Sequence, residues 1–266
     1  YQIRNTQTGE SYQTEEAYRV RYTGTRMYLL AYERTADRIF EPGSQLVEDG
    51  RIQMGIQSEE VNWLKNEEEN VIGFVQQGQL WSFDFGQNRL SLVYGFADGD
   101  DGRGTYDAHD FRILSVEDSG SMDFLVYGYM NRGRYEGMSG VLLCRYDALL
   151  NTVEEQFFLP SDHPYQAVKE ELGALAAENA NGTAWLSYGG QILQINLADC
   201  SVQVLEENVS QDDLKISGNG ALAAWTAAEG TAISLLDVQS GRIREIRAES
   251  GEVLQALGFM EEDFIY

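Results

Sequence analysis

The segment Thr231 to Ile246, TAISLLDVQSGRIREI, reads as two short strands joined by a tight turn, and the pattern occurs five times along the chain. With Asp237 as origin, Ile233 lies four residues earlier, Leu236 one earlier, Gly241 four later and Ile243 six later. The same offsets give Leu80, Phe83, Asn88 and Leu90 around Asp84, and Leu143, Tyr146, Asn151 and Val153 around Asp147. Around Asn196 they give Ile192, Ile195, Cys200 and Val202, and around Glu33 they give Leu29, Tyr32, Asp37 and Ile39.

Each position has a physical reason. An apolar strand enters, and a short polar side chain at its end can accept hydrogen bonds from backbone N–H groups of the turn. The residue at offset four is Gly, Asn, Asn or Asp in four of the five copies, the types that tolerate the left-handed conformation of a bulged hairpin loop. Cys200 breaks the rule, so its turn must be built differently or carry strain. Hairpin tips are predicted at 34–38, 85–89, 148–152, 197–201 and 238–242.

The origins lie 51, 63, 49 and 41 residues apart. Hairpins at roughly 40–50-residue intervals resemble the third and fourth strands of β-propeller blades of the WD40 and kelch kinds. ISLLDVQSGRI is similar to a WD-type repeat without its Trp-Asp pair. The resemblance covers most of the chain and implies an all-β fold, a propeller-like array of about five four-stranded antiparallel blades plus a partial sixth. The repeats fall near 1–42, 61–96, 110–159, 169–207, 213–248 and 253–266 within a single domain. It points to no functional family, because propellers serve as enzymes, adaptors and carbohydrate binders alike.

The 266 residues carry a formal charge of −24 and a pI near 4.3. Such a surface repels nucleic acid and anionic membrane and favours cations or basic partners, with solubility as the simpler account. No apolar run reaches the ~20 residues of a membrane helix, so no membrane insertion is expected in this segment. Cys144 falls on a predicted inner strand and Cys200 in a turn, which argues against pairing, and no CxxC spacing marks a zinc site. The chain begins with Tyr1 and ends on the apolar DFIY, so it is expected to belong to something longer.

The long connections are predicted at 43–60, 97–109, 131–140 and 160–168. KEELGALAAENA (169–180) has helical propensity, but the repeat requires a strand near 172–177, and the repeat is given precedence. VLQALGF and DFIY (253–266) are expected as the first two strands of a sixth blade. Trp63, Trp81, Trp185 and Trp225 lie in apolar strands and are expected in the core.

No catalytic residues are assigned. Asp98, Asp100 and Asp101, with Asp107 and Asp110 behind them, offer oxygen ligands of the kind calcium takes, although the EF-hand spacing fails and a solvated acidic loop accounts for them as well. His109 between Asp107 and Asp110 invites a base-and-orienter arrangement, but no nucleophile motif accompanies it. The stretch 127–136, YGYMNRGRYE, is the densest mixture of aromatic and basic residues; Arg forks onto carboxylates and stacks on rings, and Tyr gives rigid contact area. The alternative is that Arg132 and Arg134 neutralise the acidic loop. Short turns fall at one end of the blades and long connections at the other, and long loops uncommonly persist without purpose. The candidate ligand or partner surface is therefore Tyr106, Asp107, His109, Arg132, Arg134 and Tyr135. The expectation is a non-catalytic binding or scaffolding module for a protein or glycan, outside a bacterial cell, the cytoplasm being the other location. The alternatives are a propeller-scaffold glycan hydrolase or lyase, and a sensor ectodomain.

Overall fold

A computed structural model describes residues 1–40, 47–48, 51–52, 61–96, 106, 108–261 and 263–266. The chain divides into two compact units, 1–95 with 116–120, and 96–115 with 121–266. In the first unit, β1 (Gln2–Arg4), β2 (Ser11–Tyr22) and β3 (Met27–Arg38) form a three-stranded sheet. The short strands β4 (Val47–Glu48) and β5 (Arg51–Ile52) follow, and then a four-stranded sheet of β6 (Trp63–Lys65), β7 (Val71–Gln76), β8 (Gln79–Asp84) and β9 (Arg89–Gly95).

The second unit opens with β10 (His109–Val116), β11 (Met122–Tyr129), β12 (Ser139–Asp147) and β13 (Thr152–Ser161). Helix α1 (Tyr165–Glu171) leads into β14 (Leu172–Glu178), β15 (Thr183–Tyr188), β16 (Gln191–Asn196) and β17 (Ser201–Glu206). Next come β18 (Leu214–Ile216), β19 (Leu222–Thr226), β20 (Ala232–Asp237) and β21 (Arg242–Arg247), and finally the hairpin of β22 (Gly258–Met260) and β23 (Asp263–Ile265). The three four-stranded sheets here and the one in the first unit each follow chain order, the up-and-down meander of a propeller-type blade.

The repeat is structural down to single hydrogen bonds. Asp84 accepts from Gln87 N at 2.9 Å, Asp147 from Leu149 and Leu150 N at 2.9 and 2.8 Å, Asn196 from Ala198 N at 3.0 Å and Asp237 from Ser240 N at 2.9 Å. In all four the origin pairs with the residue five later, and the residue at offset four is left-handed: Asn88 at φ 47°, Asn151 at 52°, Cys200 at 57° and Gly241 at 68°. The Cys200 turn is thus built like the others, with a residue poorly suited to its conformation. Three copies also share a bulge beginning four residues before the origin, at Leu80/Trp81, Leu143/Cys144 and Ile192/Leu193.

The first repeat departs from this scheme. No turn forms at 34–38; β3 runs unbroken through it, paired with β2, and the reversal lies at Thr23–Arg26, with Gly24 at φ 85°. Its origin is Glu33, whose longer side chain does not form the local bond that Asp and Asn make with the turn amides.

Two further expectations need adjusting. The strand at 172–178 forms as the repeat requires, but the connection before it carries α1, set off by Pro164 and burying Val168. At the end of the chain only 258–260 and 263–265 are strands. Val253 to Leu257 instead lie along Gly230 and Thr226, with Leu254 N donating to Gly230 O at 2.9 Å and Ala256 N to Thr226 Oγ1 at 3.0 Å. Gly230, at φ 67°, permits that approach, since a Cβ there would stand 2.3 Å from Val253 Cγ1.

Cores form on the inner faces of the sheets. In the first unit Phe40 meets Phe74 and Trp81 edge-on at 6.0 and 5.5 Å. In the second, Leu125, Val141, Leu143 and Phe157 pack with Val168, Leu172, Leu186 and Ile195, and Leu175, Trp185 and Ile192 with Leu214, Trp225 and Leu236. Trp81, Trp185 and Trp225 are buried as expected, whereas Trp63 is 50% exposed, because the edge strand β6 turns it outward. Replacing Cys200 by Gly should relieve the left-handed turn and raise Tm by roughly 2 °C, while Gly241→Ala should lower it comparably; thermal melts of the two variants check both signs.

Candidate functional site

In the second unit the turns at one end of the sheets, 148–151, 179–182, 197–200, 217–221 and 238–241, are all short. The connections 130–138, 162–171 and 207–213 emerge at the other end, which is where chain length is available to build a site. Loop 130–138 closes on itself through Met130 N to Met138 O at 2.8 Å and Gly137 N to Met130 O at 2.9 Å.

Within this loop the three predicted residues do different things. Arg132 Nε donates to Phe96 O at 2.8 Å, a structural tie. Tyr135 stacks on Phe158 with ring centroids 4.1 Å apart and 19° between planes, and the exposed Arg134 guanidinium sits 5.3 Å over the Tyr135 ring. His109 is buried, with Phe96 at 4.7 Å and Phe111 at 5.5 Å, so its ring serves aromatic packing. Tyr106 is exposed and meets Tyr129 edge-on at 5.3 Å. Phe96 thus joins His109 to Arg132, while Tyr135 packs on Phe158 of β13. Asp98, Asp100, Asp101 and Asp107 lie outside the described residues.

The helix adds groups that sequence reasoning missed. Gly128, at φ 114°, lets α1 press against β11: a Cβ there would lie 2.5 Å from Ala108 O and 2.6 Å from Tyr165 Cδ2. Lys169 Nζ reaches Asp110 Oδ2 at 3.1 Å, a hydrogen bond that raises the Lys169 pKa. Arg112 Nη1 donates to Gly173 O at 2.6 Å, and burial lowers its pKa. Burial, helped by the Asp110 charge, pushes the Tyr127 hydroxyl upward.

Beyond the helix C-terminus a cleft of about 280 Å³ opens, lined by Glu170, Glu171, Tyr188, Gln191, Ser210 and Gln211 among others. Its floor comes from the Gly189-Gly190 reversal, where both glycines are left-handed, and from Gly173, whose absent Cβ would collide with Ser187 Oγ at 2.4 Å. Tyr188 OH donates to Ser161 Oγ at 2.9 Å, and burial pushes its pKa up to about 12. His163 Nδ1 lies 2.6 Å from Glu171 Oε1. The lining holds two carboxylates and no Lys, Arg or His. Its volume is slightly below the ~300–1,000 Å³ of drug-sized ligand sites, room for a single side chain or sugar ring.

No protein-family profile and no curated protein matches the chain. Among solved structures it is similar to TolB from Acinetobacter baumannii, at 13% identity and a TM-score of 0.38, covering 92% of this chain and 53% of that one. It is also similar to Porphyromonas gingivalis dipeptidyl peptidase 4, at 11% identity and a TM-score of 0.46, covering 97% of this chain and 40% of that one. The chain spans about half the length of these proteins or less, and likeness at this level carries no functional argument.

Where β11, β12 and β14 meet at the short-turn end, Glu178 is a half-buried carboxyl. Burial and the Asp123 charge raise its pKa to about 7, opposed by Arg145 and by Gln156 Nε2 donating at 3.4 Å. Arg145 itself holds Asp123 at 2.9 Å.

Two outcomes follow from these contacts. Gly128→Ala should displace α1 and cost roughly 2–4 kcal/mol, a fall in Tm of about 5–10 °C. Because the folded Glu178 takes up its proton near pH 7, above the ordinary glutamate value of 4.5, its contribution to stability is full below pH ~4.5 and is lost as pH rises to ~7. Glu178→Gln should therefore reduce the loss of unfolding free energy between about pH 5 and pH 8, measured by denaturant titration, by about 1 kcal/mol once solvent screening is allowed for.

Proposed function

We propose that the protein is a non-catalytic propeller-type binding module, working outside a bacterial cell, whose recognition surface is the long-connection end of its second unit. The observation that carries the reading is the cleft beside α1, with Glu170 and Glu171 in its wall and no cation among its lining residues. Two carboxylates lining one cleft favour a cationic group. Tyr188, Ser210, Gln191 and Gln211 supply further polar atoms around it. The matching partner is a protein segment presenting a Lys or Arg side chain, and the net charge of −24 steers such a segment inward. Arg134 on its Tyr135 platform flanks this end as a second contact, suited to an acidic or aromatic group on the same partner.

The test compares a lysine-rich peptide, a glutamate-rich peptide and neutral oligosaccharides by calorimetry. The lysine peptide should bind, and Glu170→Gln and Glu171→Gln should each weaken it roughly 5- to 10-fold, near 1 kcal/mol. The control Asp199→Asn, in the exposed turn at the opposite end of the sheets, should leave binding unchanged. Equal losses in the control reduce the effect to net charge and defeat the proposal, as does binding of the oligosaccharides alone.

A further inference from the structure

The first unit carries a surface of the opposite character. Beyond Glu16 and Glu33, β2 and β3 continue as a two-stranded ribbon to the turn at Thr23–Arg26, and every residue from Ala17 to Tyr32 is exposed. The unbulged strand β2 places Tyr18, Val20 and Tyr22 on one face, and their cross-strand partners Tyr32, Leu29 and Met27 share it. That face is apolar, with Leu29, Tyr22 and Met27 at 59%, 68% and 69% exposure. The other face holds Arg19 and Arg21 with their cross-strand partners Ala31 and Tyr28, and Arg26 stands at the tip.

The aromatic end of the apolar face is rigid. Tyr1, Tyr18 and Tyr32 all donate to the Glu16 carboxylate, at 2.7, 2.6 and 2.7 Å, and the Tyr18 and Tyr32 rings meet at 5.0 Å. These bonds hold Glu16 down at about 2. Side chains ordered in advance lose less entropy on docking.

Charge is separated along the ribbon. Residues 17–32 contain Arg19, Arg21 and Arg26 and no carboxylate, so the rest of the chain carries −24 − 3 = −27. The root holds Glu10, Glu15, Glu16 and Glu33 against Arg34, paired with Glu16, and Arg38, paired with Glu10. From root to tip is about seven residues, roughly 23 Å, which exceeds the ~8 Å Debye length at physiological salt. The tip is therefore locally positive and the root locally negative.

We propose that this ribbon docks on the same ribbon of a second copy of the chain, apolar face to apolar face and antiparallel. In that arrangement Arg26 at each tip lies toward the other copy's acidic root, with Arg19 and Arg21 on the outer faces, whereas a parallel pair would bring the two Arg26 side chains together. The contact is isologous, so it closes at two copies. The face offers roughly 500–700 Å² per copy. Two copies then bury about 1,000–1,400 Å², the low end for a specific interface, which implies micromolar association.

Sedimentation velocity at physiological ionic strength, over a roughly hundredfold range of concentration, tests this. The chain should pass from monomer to dimer. Val20→Ser/Leu29→Ser should weaken the dimer at least tenfold, and Arg26→Glu several-fold, both with Tm unchanged because these side chains are exposed. A monomer throughout overturns the proposal, and so does a dimer indifferent to Val20→Ser/Leu29→Ser. A monomer that co-sediments with phosphatidylserine vesicles through the same residues overturns it in favour of a lipid surface.

Discussion

The architecture depends on one local device, a short polar side chain at the end of the third strand accepting hydrogen bonds from turn amides while the residue four later takes a left-handed conformation. It recurs at Asp84, Asp147, Asn196 and Asp237. By fixing a four-residue loop it fixes the register of the third and fourth strands, and a slip of one residue would turn every apolar side chain to the wrong face. Cores such as the one joining Leu143, Leu172 and Ile195 are downstream of that register. Where the device is missing, at Glu33, the chain runs on as a long ribbon in a three-stranded sheet.

A second consequence concerns where length goes. With one end of the sheets held to tight turns, the longer connections of the second unit gather at the other end, among them the aromatic loop and the helix. The cations near that end are committed to specific partners: Arg132 to Phe96 O, Arg112 to Gly173 O and Lys169 to Asp110. The neighbouring cleft is lined by Glu170 and by Glu171, the latter with His163 Nδ1 at 2.6 Å, in an already acidic protein. The ribbon of the first unit has the reverse charge, so one chain presents two surfaces of opposite electrostatic character, each matched to a different kind of partner.

Glycines make much of this possible through close approach. Gly128 admits Tyr165 and Ala108, Gly173 admits Ser187 and Gly230 admits Val253. No periodicity of apolar residues reveals such positions, because they are defined by what another segment does.

From the sequence alone came the all-β meander, the four hairpin tips and the buried Cys144, because turn chemistry and strand alternation are local and act through neighbours a few residues away. The strand at 172–178 was also legible, although propensity favoured a helix there, because the repeat register outweighed it. Tertiary structure decided the rest. Tyr106, His109, Arg132, Arg134 and Tyr135 could be nominated, but only packing set Arg132 and His109 to structural tasks and left Arg134 outermost. The cleft could not be read at all, since Glu171, the Tyr188–Gln191 turn and Gln211 come from three separate segments. The exposed ribbon was hidden for a similar reason: its alternating apolar residues look like core, and only the absence of a covering layer among the described residues makes them surface.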